Sequence, residues 1–236
     1  MKMISVGPYW PSLPSVHAQT LFSRSAAGDI TFKGDSPLAV LCRETLQQRL
    51  NLLQPLHWIN QVHGSTVISL PGERDIEVDG VVTHEPGVAC VMRSADCLPL
   101  IFAAADGSAV GVAHAGWKGL RSGVIEATFA RLDRPTNETF CWIGPAISQP
   151  FYQVDRSLLD ELSRAGVPVD GVFEEDREQK MLMDLYRCAR NILGVIGIPD
   201  AHISGGDFCT YSDLRMHSVR RDGAAAGRMA TVVWFG

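Results

Sequence analysis

The sequence predicts an α+β sandwich, a mixed α/β arrangement of largely antiparallel sheets in a single domain spanning residues 1–236. Three observations predict it. Short β-rich runs outnumber helical ones. The strands come in clusters and do not alternate one for one with helices, which argues against a doubly wound parallel sheet. No repeat, low-complexity tract or Ser/Pro linker divides the chain, and the strand clusters at its two ends need partners.

The helical segments are four. Residues 36–50 open on a capping-type Ser36 with Pro37 in the first turn, and place Leu38, Leu41, Thr45 and Leu46 on one side. Residues 120–132 follow a Gly-rich turn and present Val124, Ala127, Thr128 and Leu132. Residues 156–165 form a short helix, and residues 183–196 a longer one with Leu185, Ala189, Ile192, Leu193 and Ile196 as its stripe. Between and around them lie β-rich runs at 66–70, 80–83, 88–92, 98–103, 110–113, 139–143, 201–204 and 231–235.

Composition narrows the function. With 46% hydrophobic and 20% charged residues the chain reads as folded and globular. A net charge of −5 argues against nucleic acid as the main partner. No apolar run approaches the ~20 residues of a membrane span, and the proline-rich start (Pro8, Pro11, Pro14) has no apolar leader core. A cytoplasmic protein, monomeric or a small homo-oligomer, is expected. The six scattered cysteines, with no CxxC pair, read as reduced thiols. Five of them, Cys42, Cys90, Cys141, Cys188 and Cys209, are expected to be free and dispensable.

Chemistry concentrates in four segments. Asn60-Gln61-Val62-His63-Gly64 places a histidine at a glycine turn. Met92-Arg93-Ser94-Ala95-Asp96-Cys97-Leu98-Pro99 places a cysteine beside an aspartate between two apolar strands. Val112-Ala113-His114-Ala115-Gly116-Trp117-Lys118-Gly119 delivers a histidine from a strand into a two-glycine turn before a helix, where N–H groups and Lys118 favour an anion. Ser218-Val219-Arg220-Arg221-Asp222-Gly223 offers arginine forks suited to phosphate. Each segment alone also reads as structure: a turn histidine, a buried thiol, a strand-to-helix turn, a solvated basic loop.

Together, His63, Cys97 and His114 suit a tetrahedral zinc with its fourth position open, the arrangement of a catalytic site. Their separations, 34 and 17 residues, match no zinc-finger spacing. The same trio suits a blue-copper centre, with Met92 or Met216 as a distant axial ligand. A metal-free Cys–His nucleophile is the third reading, which leaves one histidine idle. Seven histidines are too few for a multicopper laccase.

These four motifs, with Ile143-Gly144-Pro145, Cys209-Thr210 and Gly227-Arg228-Met229-Ala230, resemble the YfiH family, also called the laccase-domain or polyphenol-oxidase-like family. The resemblance covers roughly residues 58–234. It implies the fold of the cytotoxic-necrotising-factor toxins. It also implies zinc at His63, Cys97 and His114, and the phosphorolysis of adenosine, inosine and methylthioadenosine with deamination of adenosine. Two further activities are attached to the family, copper-dependent phenol oxidation and editing of peptidoglycan precursors. On this reading Cys97 and His114 act at the metal with Asp96 as proton shuttle, and Arg24, Gln61, Lys118, Arg220 and Arg221 bind nucleoside and phosphate. The chain departs from the family pattern between Arg24 and Gly34, at Cys42, Lys118 and Val219, and by one extra residue between Gly223 and Gly227.

Overall fold

The structure is a computed structural model that describes residues 4–22, 37–52, 54–72 and 77–236. One sheet is built from β1 (Ile4–Val6), β2 (Val16–Phe22), β5 (Cys90–Ser94) and β13 (Met229–Phe235), in the order β1-β2-β13-β5 and antiparallel throughout. A larger sheet contains β3 (Val67–Leu70), β4 (Gly80–Thr83), β6 (Leu98–Ala104), β7 (Val110–Ala115), β8 (Thr139–Ile143) and β12 (Ile203–Gly205), ordered β12-β8-β6-β7-β4-β3. Its two outer pairings are parallel and its central ones antiparallel. A small antiparallel sheet, β9 (Gln153–Asp155), β10 (Phe173–Glu175) and β11 (Lys180–Met183), stands beside them.

The layers follow from which residue faces which way. Along a strand, alternate side chains point to opposite faces. Cys90, Met92 and Val233 from the four-stranded sheet meet Ile68, Val81, Ile101, Val112 and Trp142 from the six-stranded one, forming the core between the two sheets. Val91 and Val232 point the other way, onto Leu46 of α1 (Pro37–Arg49) and Leu50 just past its end. Leu98, Leu100 and Phe102 of β6 point away from the inter-sheet core, onto α2 (Trp117–Ser122), α3 (Val124–Leu132), α4 (Ser157–Arg164) and α5 (Leu185–Ile196). A four-layer sandwich results, and β6 is buried along its whole length because both of its faces are covered. That double burial is why its sequence is a continuous apolar run rather than an alternating one. No helix among the described residues is long and apolar enough to cross a membrane.

Several expectations shift. The helix expected at 120–132 begins earlier and is two helices, broken at Gly123, whose left-handed φ of 81° ends α2 and starts α3. Among the described side chains of α1 the buried one is Leu46, joined by Leu50 just past the helix, whereas Leu41 is 58% exposed; Leu38 and Cys42 lie outside the described side chains. Strand β2 was not expected, because His17, Gln19 and Thr20 break its apolar character. Pairing on both sides supplies what the sequence hides: Thr20 and Thr231 share a 2.8 Å hydroxyl hydrogen bond across the buried β2–β13 ladder. The small β9–β11 sheet was also missed, and it takes Met183 from the start of the expected fourth helix, which Asp184 caps by accepting from the Arg187 N–H.

A candidate metal centre

Strand register builds the site. β6 and β7 pair antiparallel with Leu98 opposite Ala115 and Pro99 opposite His114. Cys97, one residue before β6, therefore comes level with Gly116, one residue after β7. A Cβ on Gly116 would stand 2.8 Å from Cys97 Sγ and 3.4 Å from His63 Cδ2, so only glycine lets the backbone pass this close to the two ligands. Residues 95–97 carry the chain from the four-stranded sheet into the six-stranded one, a crossing that uses a positive φ of 88° at Asp96. On the other side of β7, Gly80 pairs with Ala113, and the His114 N–H donates to the Asp79 carbonyl. Asp79 and His114 are thus cross-strand neighbours, and their side chains meet: Nδ1 of His114 lies 2.8 Å from Oδ1 of Asp79.

His63 reaches the same point from a loop. Its backbone is left-handed, with φ 65°. The N–H groups of Val62, His63 and Gly64 all donate to the Asp79 carboxylate, at 3.1, 3.0 and 2.7 Å. The ligating atoms of His63, Cys97 and His114 end within 4.8 Å of one another, and the two imidazoles stand edge to face. Donors around a tetrahedral zinc sit about 3.5 Å apart, as bonds of 2.0–2.3 Å require, so the trio's separations are of the order a shared metal needs. With Nδ1 of His114 given to Asp79, its Nε2 is the nitrogen left for a metal. His63 is exposed, Cys97 half-buried and His114 buried, an arrangement with an open side toward solvent.

The electrostatics agree with a thiolate. Burial pushes the Cys97 thiol up, but the charge of His114 and hydrogen bonds from both imidazoles outweigh it and hold it down to about 6. His114 is drawn up to about 9: burial opposes the charge, and Cys97 and Asp79 overcome it. Burial likewise opposes ionisation of Asp79, yet its partners His114, Gly64 and His63 bring it below the usual carboxylate range. The remaining described cysteines behave otherwise: burial raises Cys90, Cys141 and Cys188. Cys209 is the exception, lowered despite partial burial because Ser148 Oγ donates to its sulfur at 2.9 Å.

The other expected site residues take different places. Asp96 has both carboxylate oxygens engaged, one by the Thr210 hydroxyl at 2.6 Å and one by the Arg220 N–H at 2.7 Å, while its carbonyl accepts from Ile147. It ties the segments of Ile147, Thr210 and Arg220 together. Gln61 spends its amide on the backbone of Arg93, donating to the carbonyl at 2.7 Å and accepting from the N–H at 2.9 Å, and so docks its loop onto β5. Arg221 donates to the carbonyls of Thr210, Tyr211 and Met216 and to the Asp222 carboxylate. Its fork is filled by its own loop, so it is not a free phosphate clamp.

Arg220 keeps more freedom. One guanidinium nitrogen donates to the Gln153 carbonyl, and the group lies over the Tyr152 ring at 5.1 Å. Tyr152 in turn feels the negative charges of Cys97 and Asp96, which add to burial in raising its phenol. Lys118 is exposed, one turn from the ligands, near the Trp117 ring. Arg24 lies outside the described residues. Met92 and Met216 belong to separate apolar clusters, neither of which includes a member of the trio.

Sequence reasoning missed Asp79. Its signal was present: an ionisable residue between Val78 and Gly80, at the head of an otherwise apolar strand, has to be buried with partners.

Residues 23–236 match the family described as multi-copper polyphenol oxidoreductase laccase. A purine nucleoside phosphorylase of Pseudomonas aeruginosa is 36% identical over 238 residues, covering 96% of each chain. The purine nucleoside phosphorylase YfiH of Escherichia coli is 36% identical over 85% of this chain and 83% of its own. The crystal structure of a Neisseria meningitidis protein superposes with a TM-score of 0.86 at 34% identity, over 98% of both chains. With the sandwich, the His63–Cys97–His114 trio and these relatives in agreement, the chain belongs to the YfiH, or laccase-domain, family.

Proposed function

We propose that this chain is a zinc-dependent purine nucleoside phosphorylase that also deaminates adenosine. The observation that carries the reading is the convergence of Cys97 and His114 from neighbouring strands with His63 from a loop, in a family whose relatives bear the phosphorylase name. His63, Cys97 and His114 would hold the zinc, whose chemistry when bound is that of a Lewis acid able to activate water near neutral pH. Phosphorolysis forms a bond from a phosphate oxygen to ribose C1′ and breaks the bond from C1′ to the purine nitrogen. The dianion needs cations that are not already spent, and Lys118 with Arg220 meets that condition while Arg221 does not. Gly116 keeps the approach to Cys97 narrow, so substrate enters from the exposed His63 side.

The copper reading draws on the family's description and on the His₂Cys donor set. A multicopper cluster is disfavoured by where the other histidines lie. His84 bonds the Leu132 carbonyl, His202 the Thr139 carbonyl, and His17 stacks on Trp234. Among the described residues the trio is the one group of three or more metal-type side chains.

The test is a panel assay with metal analysis. The purified chain, assayed with adenosine or inosine and phosphate, is expected to release ribose-1-phosphate, to lose that activity on chelation without unfolding, and to regain it with zinc rather than copper. No nucleoside turnover in the zinc-loaded chain, with release from peptidoglycan precursors instead, would replace this reading by the editing one.

A further inference from the structure

The geometry points to Asp79 as the positioning residue of the metal centre: one buried carboxylate fixes both the ring of His114 and the loop that carries His63. This inference rests on the metal reading above and adds the residue that assembles the site.

The count of donors and acceptors is the first argument. Asp79 is fully buried, and its carboxylate takes four bonds, two on each oxygen. Oδ1 accepts from His63 N–H and faces Nδ1 of His114; Oδ2 accepts from Val62 and Gly64 N–H. An ionised carboxylate has about four acceptor positions, so every one is occupied. An amide has one oxygen and one NH₂. Placed here it would turn its NH₂ toward the Val62 and Gly64 N–H groups or, flipped, toward the His63 N–H and Nδ1 of His114. Either the His63 loop or the pairing with His114 would lose its acceptor.

The second argument is where those bonds lead. Holding Nδ1–H of His114 aims Nε2 toward Cys97 and His63. Holding three consecutive N–H groups stabilises the left-handed backbone at His63, a conformation that non-glycine residues adopt at a cost. The two histidine ligands come from a strand and from a loop, and among the described contacts Asp79 is the side chain that binds both.

The third argument separates positioning from folding. The Asp79 backbone is held by the sheet independently of its side chain: its N–H donates to Thr66 and its carbonyl accepts from His114. Losing the carboxylate charge therefore leaves the strand pairing in place.

The experiment measures zinc affinity by competition with a chromophoric chelator, alongside thermal unfolding with and without zinc, for the wild-type chain, Asp79→Asn and Asp79→Glu. Asp79→Asn is expected to bind zinc about 10- to 100-fold more weakly and to show a smaller zinc-induced rise in melting temperature. Its nitrogen-15 histidine spectrum with zinc bound should lose the strongly downfield Nδ1–H signal that a carboxylate partner gives His114. Zinc affinity equal to wild type in Asp79→Asn overturns the inference. If Asp79→Asn does not fold, Asp79→Glu decides, since it keeps the charge but displaces the oxygens: weakened binding supports positioning, and wild-type affinity overturns it. A wild-type chain that takes up no zinc overturns the metal reading and this inference together, and is told apart because it fails before any substitution is made.

Discussion

At the corner formed by His63, Cys97 and His114, three side chains turn their donor atoms toward one another and keep a side open to solvent. At the loop of Arg220, Arg221 and Asp222, the Arg221 guanidinium turns inward and is consumed by the carbonyls of Thr210, Tyr211 and Met216. Both regions have the composition of a binding site. The difference lies in unused bonding capacity. A ligand competes for groups whose partners it can replace cheaply, and a guanidinium already holding several buried carbonyls would leave them unsatisfied if it let go. Arg221 therefore braces its own segment, while the trio turns its donor atoms toward a common point.

The sharpest way to break this comparison is at the corner. Cys97→Ala combined with His114→Ala should reduce bound zinc to background and nucleoside turnover by at least about 100-fold, since losses at outer contacts already reach that range. Stoichiometric zinc in the double variant, measured by elemental analysis, would remove the trio as the metal site.

The loop is tested by Arg221→Ala. Leaving several carbonyls and Asp222 without their partner should lower stability by about 2–4 kcal/mol, read by denaturant unfolding. Phosphorolysis and deamination should then fall in parallel. A loss confined to phosphorolysis, in a variant as stable as wild type, would return Arg221 to the role of phosphate ligand.

Lys118→Ala sharpens the comparison from the other side, because this exposed cation is not tied up by the loop. Loss of one charge-assisted contact should weaken phosphate use about 10-fold, near 1.4 kcal/mol, with deamination nearly unchanged. Equal effects on both reactions would place Lys118 away from the anion.

The smallest effects concern the thiols. In the chelator-treated chain, alkylation of Cys97 should rise with pH through about 6 and level off above it, because the reactive thiolate is lost as pH falls below that value. Cys90, Cys141 and Cys188, raised by burial, should stay unlabelled at neutral pH, as mass spectrometry of the labelled peptides would show. Replacing any of these three by Ala should leave turnover within about twofold of wild type, provided the fold is intact. Preferential labelling of Cys90 over Cys97 would contradict the electrostatics of the corner.

Much of this was legible in the residues alone. The apolar runs of β4, β6, β7 and β8 and the stripe of α5 were read from local pattern, because burial depends on residue type and short-range spacing, and the candidate trio was picked out by residue type and segment context. The β2 strand, the partition of the core between two sheets, and the roles of Asp79, Asp96, Gln61 and Arg221 were not. Those depend on who stands opposite whom across separations of tens to more than a hundred residues, as in Asp96 with Thr210 and Asp79 with His114. An ionisable or amide side chain carries the same letters whether its bonds go to a ligand or to the protein's own backbone. Only the tertiary structure, by filling or sparing its donors and acceptors, decides which.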